Sequence, residues 1–101
     1  MKRHKVEVTA TAYEDIREAR RWYDKRQKGL GKRLTADMRK TLQSIANNPW
    51  AFAIRYDDYR IANFDIFPYA AHFIINEKTH IVSVFAITHT SRHPNTSKGR
   101  L

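Results

Sequence analysis

Residues 60–94 read Arg60-Ile61-Ala62-Asn63-Phe64-Asp65-Ile66-Phe67-Pro68-Tyr69-Ala70-Ala71-His72-Phe73-Ile74-Ile75-Asn76-Glu77-Lys78-Thr79-His80-Ile81-Val82-Ser83-Val84-Phe85-Ala86-Ile87-Thr88-His89-Thr90-Ser91-Arg92-His93-Pro94. Two runs, Ala70 to Asn76 and His80 to Thr88, are rich in Val, Ile and Phe and flank the polar turn Glu77-Lys78-Thr79. That is the composition of two strands joined by a turn. In the second run Val82, Val84 and Ala86 share one parity, and Ile81, Phe85 and Ile87 share the other. A strand apolar on both faces is expected near the middle of its sheet. The segment therefore predicts the centre of an antiparallel sheet, with His89 and Arg92 delivered at the end of a rigid strand.

Upstream, Tyr59 to Ile66 reads as a further strand, preceded by a turn at Asp57-Asp58 and an apolar link from Trp50 to Ile54. Phe67-Pro68-Tyr69 predicts a bend or hairpin turn, because proline cannot donate to a sheet ladder. Before these strands the period changes. Ala12, Ile16, Ala19 and Tyr23 recur at helical spacing, and so do Leu34, Met38, Leu42 and Ile45. Gln27-Lys28-Gly29-Leu30-Gly31 separates the two helices, and Asn47-Asn48-Pro49 stops the second. Thr11-Ala12-Tyr13-Glu14 fits a capping box at the start of the first. Lys5 to Thr9 alternates as a short strand at or near a sheet edge. The order predicts an α+β domain: an N-terminal strand, then an antiparallel two-helix hairpin packed on one face of a small sheet. That sheet is mostly antiparallel, with four or five strands. Residues 1–94 form one domain in this reading, and residues 95–101 form a flexible C-terminal tail.

The 101 residues suffice for one modest core. No cysteine is present, which excludes disulfide and thiolate chemistry and favours an intracellular, cytoplasmic setting. No run of residues approaches a membrane span. Nineteen Lys and Arg against ten Asp and Glu give a net charge of +9, which points to an anionic partner. Most of that excess lies between residues 17 and 40, where ten cations (Arg17, Arg20, Arg21, Lys25, Arg26, Lys28, Lys32, Arg33, Arg39, Lys40) face three acids (Glu18, Asp24, Asp37). Nucleic acid and an acidic protein both fit such a surface, and so does an ordinary solvated helix face.

His89 can exchange a proton near neutral pH, and Arg92 can hold a phosphate through paired N–H donors. Arg60 can add a second cationic contact. Attack of an RNA 2′-hydroxyl on its own phosphate needs a base, an acid and positive charge on the non-bridging oxygens, and these three side chains could divide those tasks. Packing of His89 and anchoring of the tail by Arg92 remain open beside that reading. His4, His72, His80 and His93 show no metal-ligand spacing on one element, so no cofactor or metal is expected. Tyr56, Tyr59, Tyr69 and Phe73 fit cross-strand core pairs better than base-stacking platforms.

Several features together resemble one known family: Ala12, Asp15-Ile16, Ala19, Trp22-Tyr23, Gly29-Leu30-Gly31, Leu34, Leu42, Asn48-Pro49, Arg60, Phe67-Pro68-Tyr69 and Ala86 to Pro94. From about Val6 to Pro94 the chain resembles the RelE/ParE superfamily of toxins from bacterial type II toxin–antitoxin modules, also known as plasmid stabilisation proteins. The resemblance implies a toxin neutralised by a small acidic antitoxin in a hetero-oligomer. Arg17, Arg20, Arg21, Lys32, Arg33, Arg39, Lys40 and Arg55 would contact antitoxin or nucleic acid. For a RelE-like member it implies ribosome-dependent, metal-independent endoribonuclease action on mRNA, with Arg60, His89 and Arg92 as catalytic residues. A ParE-like member would instead inhibit DNA gyrase without catalysis, and a basic binding module of the same fold is the third reading.

Overall fold

A computed structural model describes residues 3–90. Its five strands are β1 (Lys5–Val8), β2 (Ile54–Tyr56), β3 (Tyr59–Asn63), β4 (Tyr69–Asn76) and β5 (Ile81–His89). They form one sheet in the order β1-β5-β4-β3-β2. Helices α1 (Ala10–Arg26) and α2 (Leu30–Asn47) stand between β1 and β2, and a single 3-10 turn (Pro49–Ala51) follows α2. The α+β architecture and the helical hairpin agree with the expectation from sequence. β1 lies at an edge and runs parallel to β5, with Lys5 beside Ile81 and Val8 beside Val84; the other pairs are antiparallel.

The core lies between the hairpin and one face of the sheet. Ala12, Ile16 and Ala19 of α1 and Leu34 and Ile45 of α2 pack with Ala62, Phe73, Val82, Val84 and Ile87 of the strands. The small residues of α1 let that helix sit close to β5, and burial of the larger side chains stabilises the fold by about 25 cal/mol for each Å² of apolar surface removed from water.

Local chemistry departs from the sequence reading in three places. Helix α1 begins before the expected box. Thr9 rather than Thr11 is its N-cap, with extended backbone (φ −67°, ψ 162°) and a side-chain oxygen accepting from the Ala12 N–H. The Thr9 N–H also donates to the Val84 carbonyl, so one residue ends β1 and starts α1. Glu14, freed from a capping role, pairs with Arg17 at 3.2 Å.

The second departure is in β5. Strict alternation fails because a bulge sets both Phe85 and Ala86 opposite His72: His72 pairs with Ala86 and Phe73 with Val84. The bulge puts Ile87 on the same face as Val82 and Val84, while Phe85 turns to the opposite face and meets Tyr59 and His72. Asp15 of α1 accepts from the Ile87 N–H at 3.0 Å, tying the helix to the strand immediately beyond the irregularity.

Third, β3 stops at Asn63 and β5 starts at Ile81, one residue after the His80 that closes the turn in left-handed backbone (φ 58°). The loop from Phe64 to Pro68 is the expected break around proline. The two helices reverse at Gly29, whose φ of 95° suits a residue without Cβ. Gly31 lies so close to Asp24 that a Cβ there would sit 2.6 Å from a carboxylate oxygen, and its N–H donates to that same carboxylate.

Candidate functional site

Arg60 sits on β3 opposite Phe73. Its guanidinium donates from Nη1 to the Phe52 carbonyl and stacks over Trp50, with 5.2 Å from its carbon to the ring centroid. Phe52 meets Phe73 edge-on at 5.8 Å, so the 3-10 turn, the arginine and the sheet form one packed unit. Arg60 is half-buried and oriented by these contacts. Arg55, on β2, is exposed.

His89 ends β5 opposite Tyr69, and the two rings meet edge-on at 5.2 Å. Tyr69 in turn meets Tyr23 of α1, and Tyr23 packs on Phe67. His89 is therefore half-buried at the aromatic end of the sheet, beside the C-terminal half of α1. Arg60 belongs to the Phe73 level of β4 and His89 to the Tyr69 level, on opposite neighbours of β4. Four residues of rise and two strand spacings separate their backbones by roughly 16 Å. The sheet thus holds Arg60 and His89 in two different packed settings. Arg92 lies outside the described residues.

The helical hairpin carries a second candidate surface. Arg17, Arg20, Arg21, Lys25, Arg26, Lys28, Lys32, Arg33, Arg39 and Lys40 are all exposed. Arg17, Arg20, Arg21 and Asp24 line a shallow open depression on α1. Trp22, 44% exposed, lies beneath the Arg26 guanidinium at 4.3 Å, and Tyr13 is 58% exposed on the same helix. Aromatic faces interleaved with exposed arginines are the composition of a protein-recognition surface.

One acid that belongs to the hairpin by sequence does not offset this charge at the surface. Asp37 is only 3% exposed and accepts from three consecutive backbone N–H groups, those of Asp65, Ile66 and Phe67, at 3.2, 3.0 and 2.8 Å. It fixes the loop before β4, and that loop presents Ile66, 71% exposed, to solvent. Asp24, by contrast, is exposed beside Arg17, Arg20 and Arg21 and also accepts from the Gly31 N–H at 2.8 Å. The role of Asp37 had a faint signal in the sequence: it falls within the stripe of Leu34, Met38, Thr41, Leu42 and Ile45, where an acid is out of place unless it is bonded.

On the sheet face away from the helices, His72 is 3% exposed, and its two ring nitrogens are bonded to Tyr56 Oη (3.1 Å) and Thr88 Oγ1 (2.8 Å). Tyr59 completes this face against Tyr56 and Phe85. Partial burial, and after it the charge of Asp57, raises the Tyr59 phenol above its ordinary value, so it stays neutral. Both tyrosines are cross-strand packing residues, as expected.

A sequence model described as the ParE toxin of the type II toxin–antitoxin system, parDE, matches residues 6–94. The chain belongs to the ParE toxin family. Its fold recurs in solved structures at low identity. A chain of the chromosomal ParDE toxin–antitoxin system from P. aeruginosa superposes with a TM-score of 0.75 at 13% identity, covering 88% of this chain and 98% of that one. A chain of the toxin–antitoxin complex RelBE2 from Mycobacterium tuberculosis superposes with a TM-score of 0.62 at 16% identity, covering 86% and 98%. No curated protein matches the sequence significantly. The RelE/ParE resemblance read from the Phe67-Pro68-Tyr69 and Ala86–Pro94 stretches is thereby established for the family. Among the described residues of this ParE-family chain, no helix is long and apolar enough to cross a membrane.

Proposed function

We propose that this ParE-family chain is the toxin of a type II toxin–antitoxin module and that it arrests growth by binding DNA gyrase rather than by cleaving mRNA. The observation that carries this reading is the separation of Arg60 from His89, with Arg60 engaged by Phe52 and Trp50. Proton transfer and phosphate neutralisation at one scissile bond need their groups within about 3 Å of the reacting atoms. Two side chains held in separate packed settings serve better as parts of a fixed surface. The match over residues 6–94 to a ParE family supports the same choice.

The antitoxin is a small acidic protein that covers the hairpin. Ten exposed cations with Tyr13 and Trp22 among them give a segment of acidic and apolar residues both charge and aromatic surface to meet. Toxin alone, induced in a bacterium, stops growth, and co-expression of the antitoxin encoded beside it restores growth. Purified toxin inhibits supercoiling by gyrase, while the 5′ ends of cellular transcripts remain as they were before induction. New transcript ends confined to translated messages, with gyrase activity untouched, would return the chain to the RelE-like mechanism with Arg60, His89 and Arg92 as its catalytic residues.

A further inference from the structure

The two helices of the hairpin carry their exposed cations in different company. On α1 the arginines are interleaved with the exposed acids Glu14, Glu18 and Asp24 and with the exposed rings of Tyr13 and Trp22. On α2 the exposed cations are Lys32, Arg33, Arg39 and Lys40, and that helix contains no aromatic residue. Its single acid, Asp37, is buried and turned to the loop before β4. Among the described residues Lys32, Arg33 and Arg39 enter no ion pair, and Lys40 pairs with Asp65 across an exposed contact of 3.4 Å.

Helical geometry arranges these four side chains in two rows. At about 100° per residue, Lys32 and Arg39 fall nearly on one line, and Arg33 and Lys40 on another about 100° around the helix. Each row spans seven residues, about 10.5 Å of axial rise. Between the rows lie Ala36, Gln43 and Asn47, all exposed and uncharged. The outer face of α2 is thus a neutral strip with a cation at each corner. A strip of that kind lets a sugar–phosphate strand approach the helix with its phosphates on the flanking cations.

The composition favours a nucleic-acid backbone here over an acidic protein. Protein interfaces are enriched in aromatic residues and depleted in Lys, and this face has two lysines and no ring. Protein–DNA interfaces are more polar and far more positively charged. Single strands are held largely by stacking of bases on aromatic side chains, which α2 does not supply. A duplex presents its phosphates outward and needs only cations to meet them.

We propose that the outer face of α2 binds the phosphate backbone of double-stranded DNA without reading its sequence. The use of this contact in growth arrest rests on the gyrase reading above: gyrase works on a duplex, and a toxin that also grips the duplex is retained at the enzyme–DNA complex. An antitoxin covering the hairpin blocks the same face.

The test uses the full chain and a labelled duplex of mixed sequence, with binding followed by fluorescence anisotropy as salt is raised. Four neutralised phosphates give a slope of log K against log[salt] of about −3.6, a fall of roughly 150-fold between about 50 and 200 mM salt. Lys32→Ala with Arg39→Ala removes one row and brings the slope to about −1.8. Arg20→Ala with Arg21→Ala removes the same charge from α1 and keeps the slope at about −3.6. Circular dichroism verifies that both variants are folded. The proposal is overturned if the two pairs weaken DNA binding equally, because net charge alone would then be responsible. It is also overturned if single strands or duplex RNA bind more tightly than duplex DNA. Loss of antitoxin capture in the α2 pair with DNA binding unchanged would assign the face to the acidic protein instead. Because DNA binding is measured without gyrase, the two readings fail separately: a duplex bound as described, with supercoiling uninhibited, removes the gyrase reading and leaves this contact standing.

Discussion

The two sides of the helical hairpin are built on opposite electrostatic principles. Toward the sheet, charge is nearly absent, and the buried carboxylate of Asp37 is matched by three backbone N–H groups. Toward solvent, ten cations stand exposed, with few acids to offset them. Within α2 the inner side chains therefore govern whether the domain folds, and the outer ones govern what it meets. A carboxylate withdrawn from solvent to hold a loop also leaves the outer surface more positive than the sequence count suggests.

The strongest test of that division is removal of an inner apolar side chain. Leu34→Ala leaves a cavity between α2 and the sheet and destabilises the fold by about 2–5 kcal/mol in denaturant unfolding. Asp37→Ala comes next. It strands the N–H groups of Asp65, Ile66 and Phe67, and the expected loss is on the order of 2–4 kcal/mol, lowered by water reaching a loop near the surface. If Asp37→Ala unfolds at the wild-type midpoint, the inner side is not organised as described. Thr9→Ala removes the cap of α1 and costs about 1 kcal/mol by the same measurement.

The outer side should respond in the other currency. Arg20→Ala with Arg21→Ala changes stability by less than about 0.5 kcal/mol. The same pair slows association with the antitoxin and flattens its salt dependence, read by binding kinetics at two ionic strengths. Lys40→Ala sharpens the contrast most closely, because Lys40 pairs at 3.4 Å with Asp65 of the very loop that Asp37 holds. Both partners are well exposed, so its loss costs at most about 1 kcal/mol. One loop is thus braced by a buried carboxylate that matters and by a surface ion pair that barely does.

Helices, turns and strands were legible because their signals lie within short windows. Leu34, Met38, Leu42 and Ile45 mark an apolar helix face, Gly29 marks the reversal, and Pro68 marks the break before β4. The basic hairpin was equally plain from composition. The family ending from Ala86 to Pro94 was readable as a pattern, although its last residues lie beyond those described.

What the sequence determined alone was the order of both helices and of four of the five strands (β2 was read as a link), the hairpin, the edge position of β1 and the sign of the outer surface. Each follows from local periodicity, turn chemistry or charge. Only the tertiary structure decided that Phe85 leaves the alternation, that Asp37 faces inward to three N–H groups, and that Arg60 and His89 occupy separate settings. These facts depend on strand register and on contacts between residues far apart in the chain. A one-residue slip in pairing exchanges the faces of every side chain beyond it, and no short window of sequence fixes that register.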